Sequence, residues 1–390
     1  MDWLRSDDTL WEKNLNWIEF EPAKSTVLLI SKSGNAELSA QEYTVQSEKD
    51  WEAWLDQASL TFNRHTHQPE VKTGTKLRLI LGARADSGGP DPGVLSYLPF
   101  SKSTFRRLIS TFKIHGTIAR TISRNTSCAF IRKFRSGSSP DEQSIVYNCR
   151  SSASWDGDLS LSVTFTLRTL TSHAVIYGCN AEITEEITNR LPTSDVSSLH
   201  PMLLVVLFAE LERNRLDRLV RDKFTQLFQQ IVNISTKRDV STIENQDSSS
   251  QSPSPAISIL DCLNMGGLRN ELQTFKRKIE ANFAASLDAD TLSGLHETGV
   301  IMKERLKHLV DEFDELIGKC TTMIEGVGLK SQLVITSIFL FHFASSHLIV
   351  ETSILTRDAF SQESNQIGRK DTMINLAISQ NELETAKLLA

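Results

Sequence analysis

The sequence has no long basic run, no paired cysteine motif and no apolar signal core at its start. Each absence excludes something. Binding nucleic acid without regard to sequence needs clustered Lys and Arg to displace counterions. Here the net charge is -6, and the densest basic stretch, Arg132-Lys133-Phe134-Arg135, reads as a solvated strand end or loop. A nucleic-acid partner is therefore not expected. The five cysteines, Cys128, Cys149, Cys179, Cys262 and Cys320, are odd in number and far apart. None forms a CxxC pair or has a histidine at zinc-finger spacing, so they read as reduced, mostly buried apolar residues of a cytosolic protein. The opening Met1-Asp2-Trp3-Leu4-Arg5-Ser6-Asp7-Asp8 carries no targeting pattern.

Catalytic signatures are missing too. There is no G-x-S-x-G, no G-x-x-x-x-G-K-[ST], no G-x-G-x-x-G and no H-E-x-x-H. Met265-Gly266-Gly267-Leu268 reads as a turn before a helix, and Trp155-Asp156-Gly157-Asp158 as a turn before a strand. Asp311, Glu312, Asp314 and Glu315 could draw a divalent cation, but a solvated helix face is the plainer reading. His342 and His347 stand five apart, which does not bring them together on a helix to share a metal. The expectation is no enzyme, no catalytic, cofactor-binding or assigned metal residue, and no cofactor.

What is present is an ordinary globular mix, 39% hydrophobic and 23% charged over 390 residues, enough for one large or two medium domains. Val27-Leu28-Leu29-Ile30 suits a buried strand, and Lys76 to Leu81 alternates before stopping at Gly82. Gly88 to Gly93 is a loop by its Gly and Pro content. Ser101 or Ser103 can cap a helix carrying Phe105, Leu108, Ile109 and Phe112. Leu159, Leu161, Val163, Phe165 and Leu167 alternate with polar residues, predicting a strand with one buried face, and Ala174 to Tyr177 predicts another, ended by Gly178. The fold class is therefore α/β (α+β), a mixed sheet flanked by helices, followed by long helices in a bundle or coiled coil.

The predicted organisation is an α/β domain over 1–196, its first ~70 residues least legible, then a long-helix region over 197–332. Within the latter, the Ser/Gln/Pro-rich stretch 235–256 predicts a flexible loop, after which a helix resumes with Leu268, Leu272, Phe275, Ile279 and Phe283. Leu306, Val310, Phe313, Ile317, Cys320, Ile324 and Val327 repeat at heptad spacing, so this helix packs along another. An internal antiparallel bundle is favoured over an intermolecular coiled coil. Residues 333–362 form an atypical apolar insert whose core, Leu333–Val350, is uncharged and only just long enough to span a membrane. Thr336, Ser337, Ser345, Ser346 and the two histidines weaken insertion, so a buried helix or strand and a single-pass span stay open.

The order of segments resembles fungal CorA-like magnesium transporter proteins over roughly 75–332 and 363–390. The resemblance rests on many short matches. They include Leu98-Pro99-Phe100-Ser101-Lys102, Ile118-Ala119-Arg120 and Ser123-Arg124-Asn125. Ala174-Val175-Ile176-Tyr177-Gly178-Cys179, His200-Pro201-Met202-Leu203-Leu204 and Leu207 to Arg213 follow, then Arg305-Leu306, Gly368-Arg369-Lys370-Asp371 and Asn375-Leu376-Ala377-Ile378. It implies a cytosolic α/β/α domain feeding a very long helix, homo-oligomers through that helix, and magnesium as the transported ion. It also implies two membrane helices, the first ending in Gly-Met-Asn. These 390 residues contain no Gly-Met-Asn. The expectation is thus a truncated domain without transport of its own, a binding or regulatory module or a non-functional remnant, in the cytoplasm. Removing Val334–Gln362 would restore one continuous helix, the pattern of a retained intron, with 363–390 continuing towards a pore. The alternatives are a membrane-anchored protein contributing to magnesium transport and an unrecognised accessory enzyme.

Overall fold

A computed structural model describes residues 15, 18–32, 38–63, 74–83, 97–123, 128–135, 143–193, 200–240, 259–286 and 296–346. The chain divides into two compact units, Met1–Ile324 and Glu325–Ala390. The predicted loop at 88–93 lies outside the described residues.

Seven strands form one mixed sheet: β2 (Ser25–Lys32), β3 (Leu38–Val45), β4 (Gly74–Ala83), β6 (Ala129–Arg135), β7 (Ser144–Arg150), β8 (Ser160–Thr166) and β9 (Thr171–Cys179). Their order is β3-β2-β4-β9-β8-β7-β6. Every neighbouring pair is antiparallel except β4 and β9, which run parallel at the centre. A parallel pair cannot be joined by a hairpin, and here the described part of the crossover carries two helices and four further strands. Two short strands, β1 (Glu19–Phe20) and β5 (Tyr97–Leu98), pair separately.

Helices cover both faces of the sheet, which is why its central strands are mostly apolar, with Arg78 and His173 as buried charged-type residues among them. Leu77, Leu79, Ile80 and Leu81 of β4 and Ala174, Val175, Ile176 and Tyr177 of β9 are all buried. For the same reason the expectation of a one-faced strand at 159–167 fails: all seven residues of β8 are buried. Its even-numbered residues, Ser160, Ser162, Thr164 and Thr166, are polar yet covered. The strand at 174–177 is also longer than expected. It continues through Gly178, whose φ of 90° suits glycine, to Cys179.

One helical layer is α1 (Glu48–Asn63), α2 (Lys102–Thr111) and α3 (Thr117–Ser123). Its core joins Trp51, Trp54, Phe100, Phe105, Leu108 and Phe112 to Val27, Ile80, Val175 and Tyr177 of the sheet. Ser101 is the cap of α2: its hydroxyl accepts the Thr104 N–H at 3.1 Å, and its own proton goes to Glu48 Oε1 at 2.7 Å. Hydrogen bonds from Ser103 and Ser101 hold the exposed Glu48 carboxyl below its usual range.

The other layer is α4 (Ala181–Thr193), α5 (Leu203–Val240) and α6 (Ile259–Ser286), with α4 on β2, β3 and β9, α5 on β8 and α6 on β6. The expected loop over 235–256 begins later, because Ser235 to Val240 complete α5; positions 241–256 lie outside the described residues. The expected turn at Met265-Gly266-Gly267 is instead inside α6, where a side chain at either glycine would meet nothing within 4 Å. The last helix, α7, spans His296–Ser346. Its buried stripe is Leu306, Leu309, Phe313, Leu316, Cys320 and Met323. Relative to the predicted seam, Leu309, Leu316 and Met323 replace Val310, Ile317 and Ile324, which are half-buried. The seam is filled within the chain: the Phe313 and Phe275 rings lie 5.2 Å apart, and Phe275 lies 5.3 Å from Phe130 of β6.

Phe105, fully buried between the Phe20 and Phe100 rings, tests the first layer. Replacing it with alanine leaves a ring-sized cavity and should cost about 3–5 kcal/mol, read as a lower urea midpoint. A loss below about 1 kcal/mol would contradict this packing.

Candidate functional site

The residues singled out by sequence do not converge. Among the described residues no group of three or more His, Cys, Asp or Glu side chains could hold a metal ion. In the acidic run on α7, Glu312 pairs with Arg213 and Arg305, and Asp314 pairs with Lys276 of α6. Asp311 and Glu315 are exposed. Four carboxylates in the sequence thus become two rivets and two solvated charges. His342 lies in α7 at a position whose side chain is not described, and His347 is outside the described residues.

Cys128, Cys149, Cys179 and Cys320 are free and buried. Burial pushes the Cys128 and Cys179 thiols up to about 12 and the Cys320 thiol up to about 11, and raises Cys149 as well. Thiols so far from ionising are poor nucleophiles and poor metal ligands.

Sequence reasoning missed a polar cluster around the connection between β7 and β8. Arg150 closes β7 with its side chain fully buried, and its guanidinium holds Asp158 at 2.8 Å. The same guanidinium donates to the carbonyls of Thr121 and Ile122 at the end of α3. Those are carbonyls a helix terminus leaves without intrahelical partners, and a cation there also meets the negative end of the helix dipole. The turn 155–158 was foreseen, and Gly157 at φ 80° gives it its reversal. Its fastening was not.

That fastening is Arg215, one turn along α5 from the buried Glu212. Its Nη1 donates to Trp155 O and Asp156 O, each at 3.0 Å, and its Nη2 to Ser152 O at 3.3 Å. Nε and Nη2 also grip Glu212 in a fork at 2.8 and 2.6 Å. From α6, Glu271 receives the Ser154 hydroxyl at 3.0 Å. Burial pushes the Glu271 carboxyl above the usual range, against the Ser152 and Ser154 hydroxyls, which favour its charged form. One short loop therefore ties α3, α5 and α6 to the sheet.

A second polar seam lies under α3. Ser162 Oγ donates to Asn148 Oδ1 and Asn148 Nδ2 to Thr117 Oγ1, both at 2.7 Å. His115 Nδ1 accepts the Thr117 N–H at 3.2 Å. These bonds explain how the polar side of β8 can be buried at small cost. Nearby, burial and then the charges of Arg78 and Lys113 push His173 down to about 3. Chemically these clusters position backbone and helices; they do not align a nucleophile with a base. A comparison with protein families and with curated proteins returns no match for this chain.

Two measurements check the clusters. Arg150→Met strands the Asp158 charge and the α3 carbonyls, and should cost about 3–5 kcal/mol in urea unfolding. Adding Asp158→Leu should recover part of that loss, since an apolar pair replaces a lone buried charge. For His173, the folded protein resists a proton that the unfolded chain accepts near 6.5, so its contribution is full above ~6.5 and is lost as pH falls towards about 3. His173→Phe should flatten that acid limb of the urea midpoint against pH; an unchanged limb would reassign it.

Proposed function

We propose that this chain is the α/β/α domain and long-helix region of a CorA-like divalent-cation transporter, acting on the cytosolic side as a binding or regulatory module. On this reading these residues carry no transport or catalysis by themselves. The observation that carries it is the order of elements. A seven-stranded mixed sheet lies between two helical layers and is followed by helices of 38, 28 and 51 residues. A domain that feeds a very long helix is what the sequence resemblance implies.

The side chains support a module that holds shape and transmits position. The Arg215 loop joins the sheet to α5 and α6, and Arg305 of α7 pairs with Glu210 of α5. Such coupling suits a domain whose helices report on the state of its sheet. Among the described residues no helix is long and apolar enough to cross a membrane.

Two readouts on the purified or expressed chain test the proposal. Light scattering should give a mass that is a multiple of 43.7 kDa, from assembly through the long helix. Alkaline carbonate should release the chain from membranes. A monomer at working concentration would remove the assembly, and retention in the carbonate pellet would favour an anchor at 333–350 instead.

A further inference from the structure

Glu271 occupies an awkward place in the loop cluster. An arginine has five N–H donors, and Arg215 uses all of them: two go to Glu212, and one each to the carbonyls of Ser152, Trp155 and Asp156. None is left for Glu271. The Glu271 Oε1 atom is served by Ser154, but Oε2 is buried and has no hydrogen-bond partner among the described residues. From α5 the groups facing it are Glu212 and Arg215, from the loop the Ser152 and Ser154 hydroxyls, and from the start of β6 the Cys128 thiol. Asp158 acts on Arg215 and is itself held by Arg150. An ionised Glu271 thus sets a half-buried charge beside Glu212, whose matching cation is already committed.

We propose that Glu271 is a proton-sensitive latch between α6 and the loop 151–158. With a neutral carboxyl the latch is closed: the buried Oε2 carries no charge, and no second charge presses on Glu212. When the carboxyl ionises, the buried Oε2 carries charge without a donor, and the loop loosens from a fixed α6. The direction agrees with burial as the largest influence on this group, with the Ser152 and Ser154 hydroxyls and the Arg215 charge opposing it and Glu212 adding to it. A carboxyl raised in the folded state contributes stability that is full below its unfolded value, near ~4.3, and lost as pH rises through its folded value.

Hydrogen exchange on the full chain between about pH 4 and pH 8, corrected for the intrinsic pH dependence, reads this directly. In the native protein the opening constant of segment 151–158 should rise with pH, while that of 265–275 on α6, held by its rings, should not. The rise is about tenfold for each unit by which the folded carboxyl stands above its unfolded value. Glu271→Gln, neutral and of the same shape, should keep the acid-side protection at every pH. The same rise in the variant would overturn the proposal. So would a variant less protected than the native protein at acid pH, or one that fails to fold, because the amide stands in for the closed form.

Discussion

The covering of the sheet on both faces is the constraint from which the rest follows. A seven-stranded sheet with helices on each side has no wet face to receive polar side chains, so each strand residue must be apolar or find a partner inside. The central strands β4 and β9 meet this mostly with apolar residues, around the buried Arg78 and His173. Strands β7 and β8, which lie nearer one edge, meet it differently. Their polar residues Asn148, Arg150, Ser160, Ser162 and Thr164 turn towards one another, towards α3 and towards the chain around Lys113. The fold is therefore greasy at its centre and hydrogen-bonded towards the β6 side, and the loop cluster grows from that second half.

How much of this could be read in advance follows the same division. Val27 to Ile30 and 174–177 announce strands as short apolar runs, and 76–81 announces one by its alternation up to Gly82. The cap at Ser101 is legible because capping is local: a hydroxyl three residues before the amide it serves. By contrast, β3 reads Leu-Ser-Ala-Gln-Glu-Tyr-Thr-Val and β6 carries Arg132, Lys133 and Arg135. Both are edge strands, whose outer sides tolerate charge, and neither has a pattern that separates it from a loop. The heptad on α7 was found, but its buried side is turned towards Leu309, Leu316 and Met323. Spacing alone cannot choose between adjacent apolar residues when the partner surface is unknown.

The loop cluster was invisible for a physical reason. Arg150, Asp158, Arg215 and Glu271 are ordinary charged residues with no local periodicity, and what unites them is tertiary contact across as many as 117 positions, as between Ser154 and Glu271. Only the turn at Gly157 has a local signal, and the turn was indeed expected. A lone glycine beside two aspartates says that the chain reverses; it does not say that an arginine some sixty residues on will take its carbonyls.

Magnitudes limit how far the Glu271 latch can act. Helix α6 is also held by a ladder of rings, Phe208 to Phe130 at 6.0 Å, Phe130 to Phe275 at 5.3 Å and Phe275 to Phe313 at 5.2 Å. Each such pair adds about 0.5–1.5 kcal/mol beyond the area it buries, and Leu268, Leu272 and Ile279 bury further surface on the same helix. A single hydroxyl-to-carboxylate bond contributes about 1.5–3 kcal/mol at most. The ladder wins, so ionising Glu271 cannot release α6 from the sheet. It can free only the few loop residues that depend on it, while the rings keep the helix in place. A local loosening on a fixed helix is a small, repeatable change, and that is the form in which a domain of this architecture could register a proton.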